Sequence, residues 1–242
     1  MATHPTAPVA CVEVGGGSTQ TVVLGSGEAR VLDGAVPPPG VPLLMAVPGL
    51  IEGDRVLAAS NLGWFDVDPA EALGLGRSAA LLLNDAEAAA LGESALRDGA
   101  PLVFVGLGTG VGGAVVRTGP VVAAANLLGH TTGFGDALCP CSRTGCLETV
   151  AAGWALPDPL PESRIGPLAA AVARAVRLEP LADPPLVVVA GGLARRYPAI
   201  VDALAAALPD RDVQPTAAAP ELKSASAYGL ALAYAQLQER VA

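Results

Sequence analysis

Aromatic residues make up only 3% of this 242-residue chain, lysine occurs once, at Lys223, and histidine twice. With so few rings the interior has to be aliphatic, and the 52% apolar content falls in Val and Leu runs and Ala-rich stretches, the pattern of an α/β fold. The lone lysine does not follow a glycine, which excludes a P-loop. Positive charge is also short: 14 Lys and Arg against 23 Asp and Glu leave a net charge of -9. Nucleic acid and anionic membrane surfaces are recognised by clustered positive charge, so neither is an expected partner, and small molecules remain. No stretch approaches about eighteen consecutive apolar residues free of Gly, Pro or charge, and the opening MATHPTAPVACVEV has no basic n-region or long apolar h-region. A membrane span and a secretory leader are therefore unexpected, and the expected location is cytoplasmic. The length suits one large domain or two small ones sharing a cleft.

The four cysteines are unevenly placed. Cys11, alone in a strand-like run, reads as a small core residue. The other three crowd into HTTGFGDALCPCSRTGCLE, between His130 and Glu148. Cys139, Cys141 and Cys146, spaced CxCxxxxC with His130 nine residues upstream, supply the four N/S ligands of a closed, tetrahedral structural zinc site. The alternatives are a disulfide and buried free thiols. Cys139 and Cys141 are too close for an easy bridge, a Pro- and Gly-rich loop is an odd place to bury inert thiols, and a reducing compartment favours metal.

Two segments share one design. Val9 to Leu24, VACVEVGGGSTQTVVL, and Leu102 to Val116, LVFVGLGTGVGGAVV, each read strand, glycine turn, strand, which implies two lobes built to one plan. Glycines and hydroxyls in such a turn let backbone N–H groups converge on an anion with no Cβ in the way; the plainer alternative is a pair of ordinary tight hairpins. Gly108, Gly110 and Gly113 spell GxGxxG, but Ala114 to Val116 read as a further strand where a dinucleotide fingerprint needs a helix. Elsewhere, Leu81 to Asn84 reads as a strand end and Ala86 to Leu96 as a helix, with Asn84 and Asp85 at the junction. There Asp85 is either a functional carboxylate or a helix cap. Pro37 to Gly40 and Pro157 to Glu162 are connections. Ile165 to Leu178 has helical spacing and Leu186 to Ala190 is a buried strand. Gly191 and Gly192 turn that strand into a helix over roughly Pro198 to Leu208. In the last helix Leu230, Tyr234, Leu237 and Val241 form one face docked on the body.

In this order the pieces resemble the ROK family of bacterial sugar kinases and repressors, glucokinase-like members of the actin-like ATPase superfamily. The likeness runs through VPG at Val47 to Gly49, SNLGW at Ser60 to Trp64, LLNDAEAAALGE at Leu82 to Glu93, GLGTGVGGAVV at Gly106 to Val116, GH with CxCxxxGCLE at Gly129 to Glu148, and VVVAGGL at Val187 to Leu193. The resemblance implies an actin-like, ribonuclease H-like two-lobed α/β fold with duplicated strand–glycine turn–strand units and a structural zinc loop. Residues 1–86 plus 224–242 would form a small lobe carrying the C-terminal helix, and residues 87–223 a large lobe carrying the zinc loop and the GG motif. It implies transfer of the γ-phosphoryl of ATP, with magnesium between the phosphates, to a hydroxyl of a hexose or N-acetylhexosamine, and a homodimer. Asp85 would be the general base; Asn61 and Asn84 would hold neighbouring hydroxyls, with His130 beside the sugar and Glu148 accepting from it. Gly108, Thr109 and Gly110 would cradle the phosphates, Glu13, Gly15 and Gly16 would close on the nucleotide from the other lobe, and Gly191 and Gly192 would lie near adenosine. His130, Cys139, Cys141 and Cys146 would bind zinc.

Three departures stand out. The family's DxGGTK loop is here built from Glu13, Gly15, Gly16, Gly17 and Ser18, without its lysine. The glutamate of the family's GExGH motif is Leu127, which cannot accept a hydroxyl hydrogen bond, a loss of roughly 1 to 3 kcal/mol for a sugar group left unpaired. The chain is also shorter than usual, with a helix missing between the first hairpin and VPG and helical material missing between Glu148 and Val187. A catalytically impaired sugar- or nucleotide-binding regulator is the alternative function. A hydrolase is a further one, because GGGST at Gly15 to Thr19 resembles the phosphate loop of exopolyphosphatases. A DNA-binding repressor is not expected, since only about eight residues precede the first strand, too few for a helix-turn-helix.

Overall fold

Aliphatic strands with a glycine turn after the first of them organise each of two compact units, residues 1–100 with 217–242, and residues 101–216. The computed structural model describes residues 7–25, 28–32, 36–117, 123–126, 128–178 and 186–241. In the first unit β1 (Val9–Val14), β2 (Thr19–Leu24) and β3 (Ala29–Leu32) run antiparallel. On its other edge β1 pairs in parallel with β4 (Leu43–Val47). A separate antiparallel meander follows, β5 (Leu50–Glu52), β6 (Arg55–Ala59) and β7 (Trp64–Val67), then the short α1 (Pro69–Ala72), capped by Asp68. Next, β8 (Leu81–Asn84) adds in parallel to β4 and leads directly into α2 (Asp85–Ala95). The sheet order is β3-β2-β1-β4-β8.

The period-2 alternation of a strand assigns the side chains of β1 and β4 to two cores. Val9, Cys11, Leu44 and Ala46 pack with Ala88 of α2 and Leu230 of the last helix, α7 (Ser226–Val241). Val12, Val14, Met45 and Val47 pack on the other face with Val56, Ala59 and Ala70. Cys11 is the small core residue expected from its setting: its thiol donates to the Ala227 carbonyl at 3.5 Å, and burial pushes its pKa well up.

The second unit repeats the plan. Here β9 (Leu102–Leu107), β10 (Val111–Val116) and β11 (Ala123–Asn126) are antiparallel, and β12 (Leu186–Ala190) and β13 (Asp212–Pro215) extend the other edge in parallel. The order β11-β10-β9-β12-β13 matches that of the first unit strand for strand, so the duplicated hairpins read from the sequence belong to duplicated five-stranded mixed sheets. The chain passes through α3 (Glu148–Ala151), α4 (Ile165–Leu178), α5 (Gly192–Arg196) and α6 (Ala199–Ala207). Leu168, Val172 and Val176 of α4 and Ile200 and Leu204 of α6 close over Val103, Val105, Val187 and Val189 of the sheet.

Three expectations need adjustment. The contacts divide the chain at residues 100/101 and 216/217, not at 86/87 and 223/224, because α2 packs against α7 and stays with the first sheet. The segment after Gly191 is two helices, with α5 ending at the non-helical Tyr197 ahead of Pro198, whose ring disfavours helical backbone in the residue before it. The docked face of α7 holds for Leu230 and for the partly buried Tyr234, but Leu237 is 41% exposed; the Val241 side chain lies outside the described residues. No helix among the described residues is long and apolar enough to cross a membrane.

α2 and α7 meet backbone to backbone at two glycines. A Cβ on Gly229 would collide with the Ala88 carbonyl oxygen and sit 2.7 Å from the Gly92 nitrogen, and one on Gly92 would collide with the Ala225 carbonyl. Gly229→Ala is therefore expected to destabilise the protein by about 1–3 kcal/mol, the usual cost of overpacking, lowering the melting temperature by roughly 2–4 °C per kcal/mol for a chain of this size. Gly166→Ala in α4, where a Cβ meets nothing within 4 Å, is expected to be neutral or stabilising. Thermal melts followed by circular dichroism decide; equal melting temperatures for the two variants would refute the close-packing account.

Candidate functional site

In the first unit the parallel strands β1, β4 and β8 end along one edge of the sheet, with Glu13 opposite Ala46 and Val47 opposite Asn84. The glycine turn, the VPG turn and the Asn84–Asp85 junction all emerge there, where open α/β sheets place their ligands. Asn84 is the N-cap of α2: its Oδ1 accepts from the Ala86 and Glu87 N–H groups at 2.9 and 3.3 Å, and its Nδ2 donates to the Gly49 carbonyl at 2.9 Å. One amide hydrogen of Nδ2 is left for a further acceptor. The Asp85 carboxylate takes the same Ala86 N–H at 2.8 Å, while its backbone carbonyl accepts from Ser226 Oγ at 3.4 Å. Burial pushes the Asp85 carboxyl up to about 6, against the opposing pull of its backbone hydrogen bonds. Such a group is ionised at neutral pH and more basic than an ordinary aspartate. Asn61 stands exposed on the turn between β6 and β7, on the meander that Arg55 ties together through Asp66.

The first glycine turn is closed by the Gly15 N–H donating to the Ser18 carbonyl at 3.0 Å, and Gly16 and Gly17 are exposed. The segment before α7 is laced onto this hairpin. Ser224 Oγ lies 3.0 Å from both carboxylate oxygens of Glu13, Gln20 exchanges hydrogen bonds with the backbone of Glu221 and Lys223, and Lys223 Nζ donates to the Ser18 carbonyl. Nothing in the local sequence signals these partners of Glu13 and Ser18, which lie some two hundred residues away along the chain.

In the second unit the Gly108–Gly110 turn is similarly pinned from afar. The Gly108 N–H donates to the Gly110 carbonyl at 3.0 Å, and the carbonyls of Gly108 and Thr109 accept from Gly153 and Trp154 N–H at 2.8 and 3.3 Å. At Gly108 a Cβ would meet nothing within 4 Å, so the turn offers an open backbone surface. Gly191, at φ 98°, adopts backbone that L side chains avoid, and a Cβ there would strike the Leu107 carbonyl. Since Ala190 pairs with Gly106, Gly191 and Gly192 leave the sheet on the same edge as the second turn.

The Cys/His loop closes on itself through bridges between Thr132 and Cys146 and between Leu138 and Thr144. One donor atom from each of His130, Cys139, Cys141 and Cys146 lies within 4.8 Å of the others. His130 Nδ1 is 3.7 Å from the Cys139 sulfur, and the sulfurs of Cys141 and Cys146 are 3.6 Å apart. Bonds of about 2.3 Å to a central tetrahedral ion give edges of about 3.8 Å, so the donors fit such an ion. All four cysteines are free, and the Cys141 and Cys146 sulfurs stand apart as unbonded thiols. The Nδ1 atom faces the cluster, leaving His130 Nε2 on the far side of the ring.

Glu148, two residues past Cys146, is only 3% exposed, so it is not a solvated carboxylate. Its Oε1 accepts from the Val111 N–H at 2.7 Å, and its Oε2 lies 4.0 Å from the Cys139 sulfur. It links the Cys/His loop to the foot of the second glycine turn, a connection that the spacing of the motif did not reveal. Leu127 lies outside the described residues.

Known proteins resemble the chain in sequence and in fold. A glucokinase from Halalkalibacterium halodurans is 40% identical over 119 residues, 44% of this chain and 36% of that protein. An N-acetylmannosamine kinase from Escherichia coli O1:K1 is 45% identical over 82 residues, 30% of this chain and 28% of that one. The chain thus matches about a third of the length of these curated relatives. The crystal structure of a ROK family glucokinase from Streptomyces griseus, in complex with glucose and AMPPNP, superposes with a TM-score of 0.70 at 21% identity, covering 95% of this chain and all of that one, which establishes the shared fold. Residues 40–162, half of the chain, match the ROK family model, and the chain belongs to the ROK family.

Proposed function

We propose that the protein is an ATP-dependent kinase of a hexose or N-acetylhexosamine. The observation that carries this reading is the Asp85 carboxyl, raised to about 6 at the first residue of α2 beside the capping Asn84. The named activities of the glucokinase and N-acetylmannosamine kinase relatives supply the substrate class. Asp85 accepts the proton of the attacking sugar hydroxyl as its oxygen bonds to the γ-phosphorus of ATP and the bond to the ADP oxygen breaks. Asn84, held by its cap and by Gly49, presents its remaining amide hydrogen to a neighbouring hydroxyl, and Asn61 is assigned a similar contact. Gly108, Thr109 and Gly110, with Gly15 and Gly16, are assigned to the phosphates, and Gly191 and Gly192 to the adenosine side. Magnesium bound with ATP neutralises charge on the phosphate oxygens.

His130, Cys139, Cys141 and Cys146 hold a structural zinc in this reading, supported by the edge lengths of the cluster. Bound there, zinc supplies a cross-link with no position open for water. Its consequence for the site runs through protein atoms. The ordered loop sets Glu148 beneath Val111, and Glu148 sets the start of β10, so the second glycine turn inherits its shape from the cluster. With one lone pair of Oε1 engaged by Val111, Glu148 keeps acceptor capacity for a sugar hydroxyl.

Sugar-dependent ADP release over a panel of hexoses and N-acetylhexosamines tests the function. Asp85→Asn, folded as judged by its melting temperature, is expected to lose about 100-fold or more in kcat, the scale of general base catalysis. For the native chain kcat/KM should fall as pH drops through about 6, where Asp85 takes up its proton. Release unaffected by Asp85→Asn would reject the base assignment; binding of sugar without turnover would favour the regulatory alternative. For the cluster, elemental analysis should find about one zinc per chain, and Cys141→Ser should remove it and lower the melting temperature by about 10 °C or more. A metal-free native chain with the same melting temperature as the variant would refute the zinc assignment.

A further inference from the structure

The stretch Glu13 to Gln20, EVGGGSTQ, contains no basic side chain. A glycine turn can offer backbone N–H groups to an anion, but a polyphosphate carries several charges and is better held with a cation beside it. The structure brings one in from the other end of the chain. Lys223 Nζ donates to the Ser18 carbonyl, the oxygen that also closes the turn by accepting from Gly15. An ideal Cβ on Gly15 would lie 3.7 Å from this Nζ, so the ammonium stands against the flank of the turn where a side chain is missing.

The placement is built and not incidental. The Lys223 N–H donates to Gln20 Oε1 at 2.8 Å while Gln20 Nε2 donates to the Glu221 carbonyl at 3.0 Å, a reciprocal clasp between β2 and the segment carrying the lysine. The next residue, Ser224, is hydrogen-bonded to Glu13 and packs its hydroxyl 2.6 Å from that of Ser226. These neighbouring contacts therefore fix the backbone from which the ammonium projects. Burial lowers the Lys223 pKa and the Glu13 carboxylate opposes that shift; further negative charge arriving at the turn would favour the ammonium in the same direction as Glu13.

We propose that Lys223 is the phosphate-binding cation of the first glycine turn, holding the polyphosphate chain of its ligand against Gly15, Gly16 and Gly17. The shared chemistry is a magnesium-complexed triphosphate, which either ATP or inorganic tripolyphosphate provides. The choice of ATP rests on the kinase reading above; the affinity of the turn for polyphosphate does not. The lysine absent from the turn's own sequence is supplied instead in three dimensions, by the segment leading into α7.

Because Lys223 is the only lysine, a lysine-directed acylating reagent reports on this one ε-amine. The intact native protein is acylated in magnesium buffer with tripolyphosphate, with ATP, or with chloride at matched ionic strength, and modification of the Lys223 peptide is followed by mass spectrometry. Saturating tripolyphosphate is expected to slow acylation about fivefold or more, and calorimetry should show binding weakened about tenfold or more in Lys223→Gln and within about threefold of native in Lys223→Arg, as the loss of a charge-assisted hydrogen bond implies. Protection by ATP but not tripolyphosphate identifies a nucleotide site; protection by both identifies the phosphate chain as the recognised part. Acylation unchanged by a ligand that calorimetry shows to be bound overturns the assignment, as does a native chain that binds neither ligand. If Lys223→Gln fails to fold, the native-protein acylation and Lys223→Arg decide. Sugar-dependent ADP release is measured alongside: its absence with protection intact removes the kinase and leaves Lys223 in place, whereas turnover with an unprotected lysine removes only the Lys223 assignment.

Discussion

Parallel pairing at the centre of each sheet is the constraint from which the rest of the arrangement follows. A strand that is antiparallel to one neighbour and parallel to the other, as β1 and β9 are, sends its own turn and the exit of its parallel neighbour to the same edge. In the first unit that edge collects Glu13, the glycine turn, Gly49 and the Asn84–Asp85 junction. In the second it collects the Gly108–Gly110 turn and Gly191. Chemistry-bearing residues far apart in sequence become neighbours without any loop having to reach for them, because hydrogen-bond register alone decides where each strand stops.

The turns themselves are too glycine-rich to define their own shape, since glycine loses more conformational freedom on ordering than any other residue. Each is shaped by atoms brought from elsewhere. In the second unit Gly153, Trp154 and the buried Glu148 hold the turn by its carbonyls and by the Val111 N–H. In the first unit Ser224, Gln20 and Lys223 do the equivalent work. The two solutions use unrelated residues for one physical problem: a flexible glycine backbone has to be held still from behind while its outer surface stays bare.

Much of the fold was legible in the sequence. Strand–glycine–strand runs and the buried Leu186 to Ala190 strand announce themselves through aliphatic content and glycine punctuation, which are local properties. The membership of the Cys/His cluster was legible for a similar reason, being a matter of residue type and short spacing. What the sequence hid was tertiary. Glu148 reads equally well as a surface acid or a sugar contact until the Val111 N–H is found against it. Asn84 shows its identity but not that its amide is shared between a helix cap and Gly49. Leu237 fits the helical period of its neighbours, yet it stands largely exposed. The sequence gives no sign that Lys223 reaches the first glycine turn, because it does so through the Ser18 carbonyl, and carbonyls leave no mark in a sequence.

The glycine contact between α2 and α7 has a consequence beyond packing. Helix α2 is a stiff rod of 11 residues with Asp85 as its first member, and Gly92 and Gly229 are where that rod is clamped by backbone against backbone. A clamp made of backbone and one methyl group has little slack: no rotamer can absorb a displacement there, so a shift of one helix is passed to the other. The position of the Asp85 carboxylate is thereby mortgaged to a residue near the far end of the chain. A side chain at Gly229 would therefore be felt at Asp85 as well as in the stability of the packing.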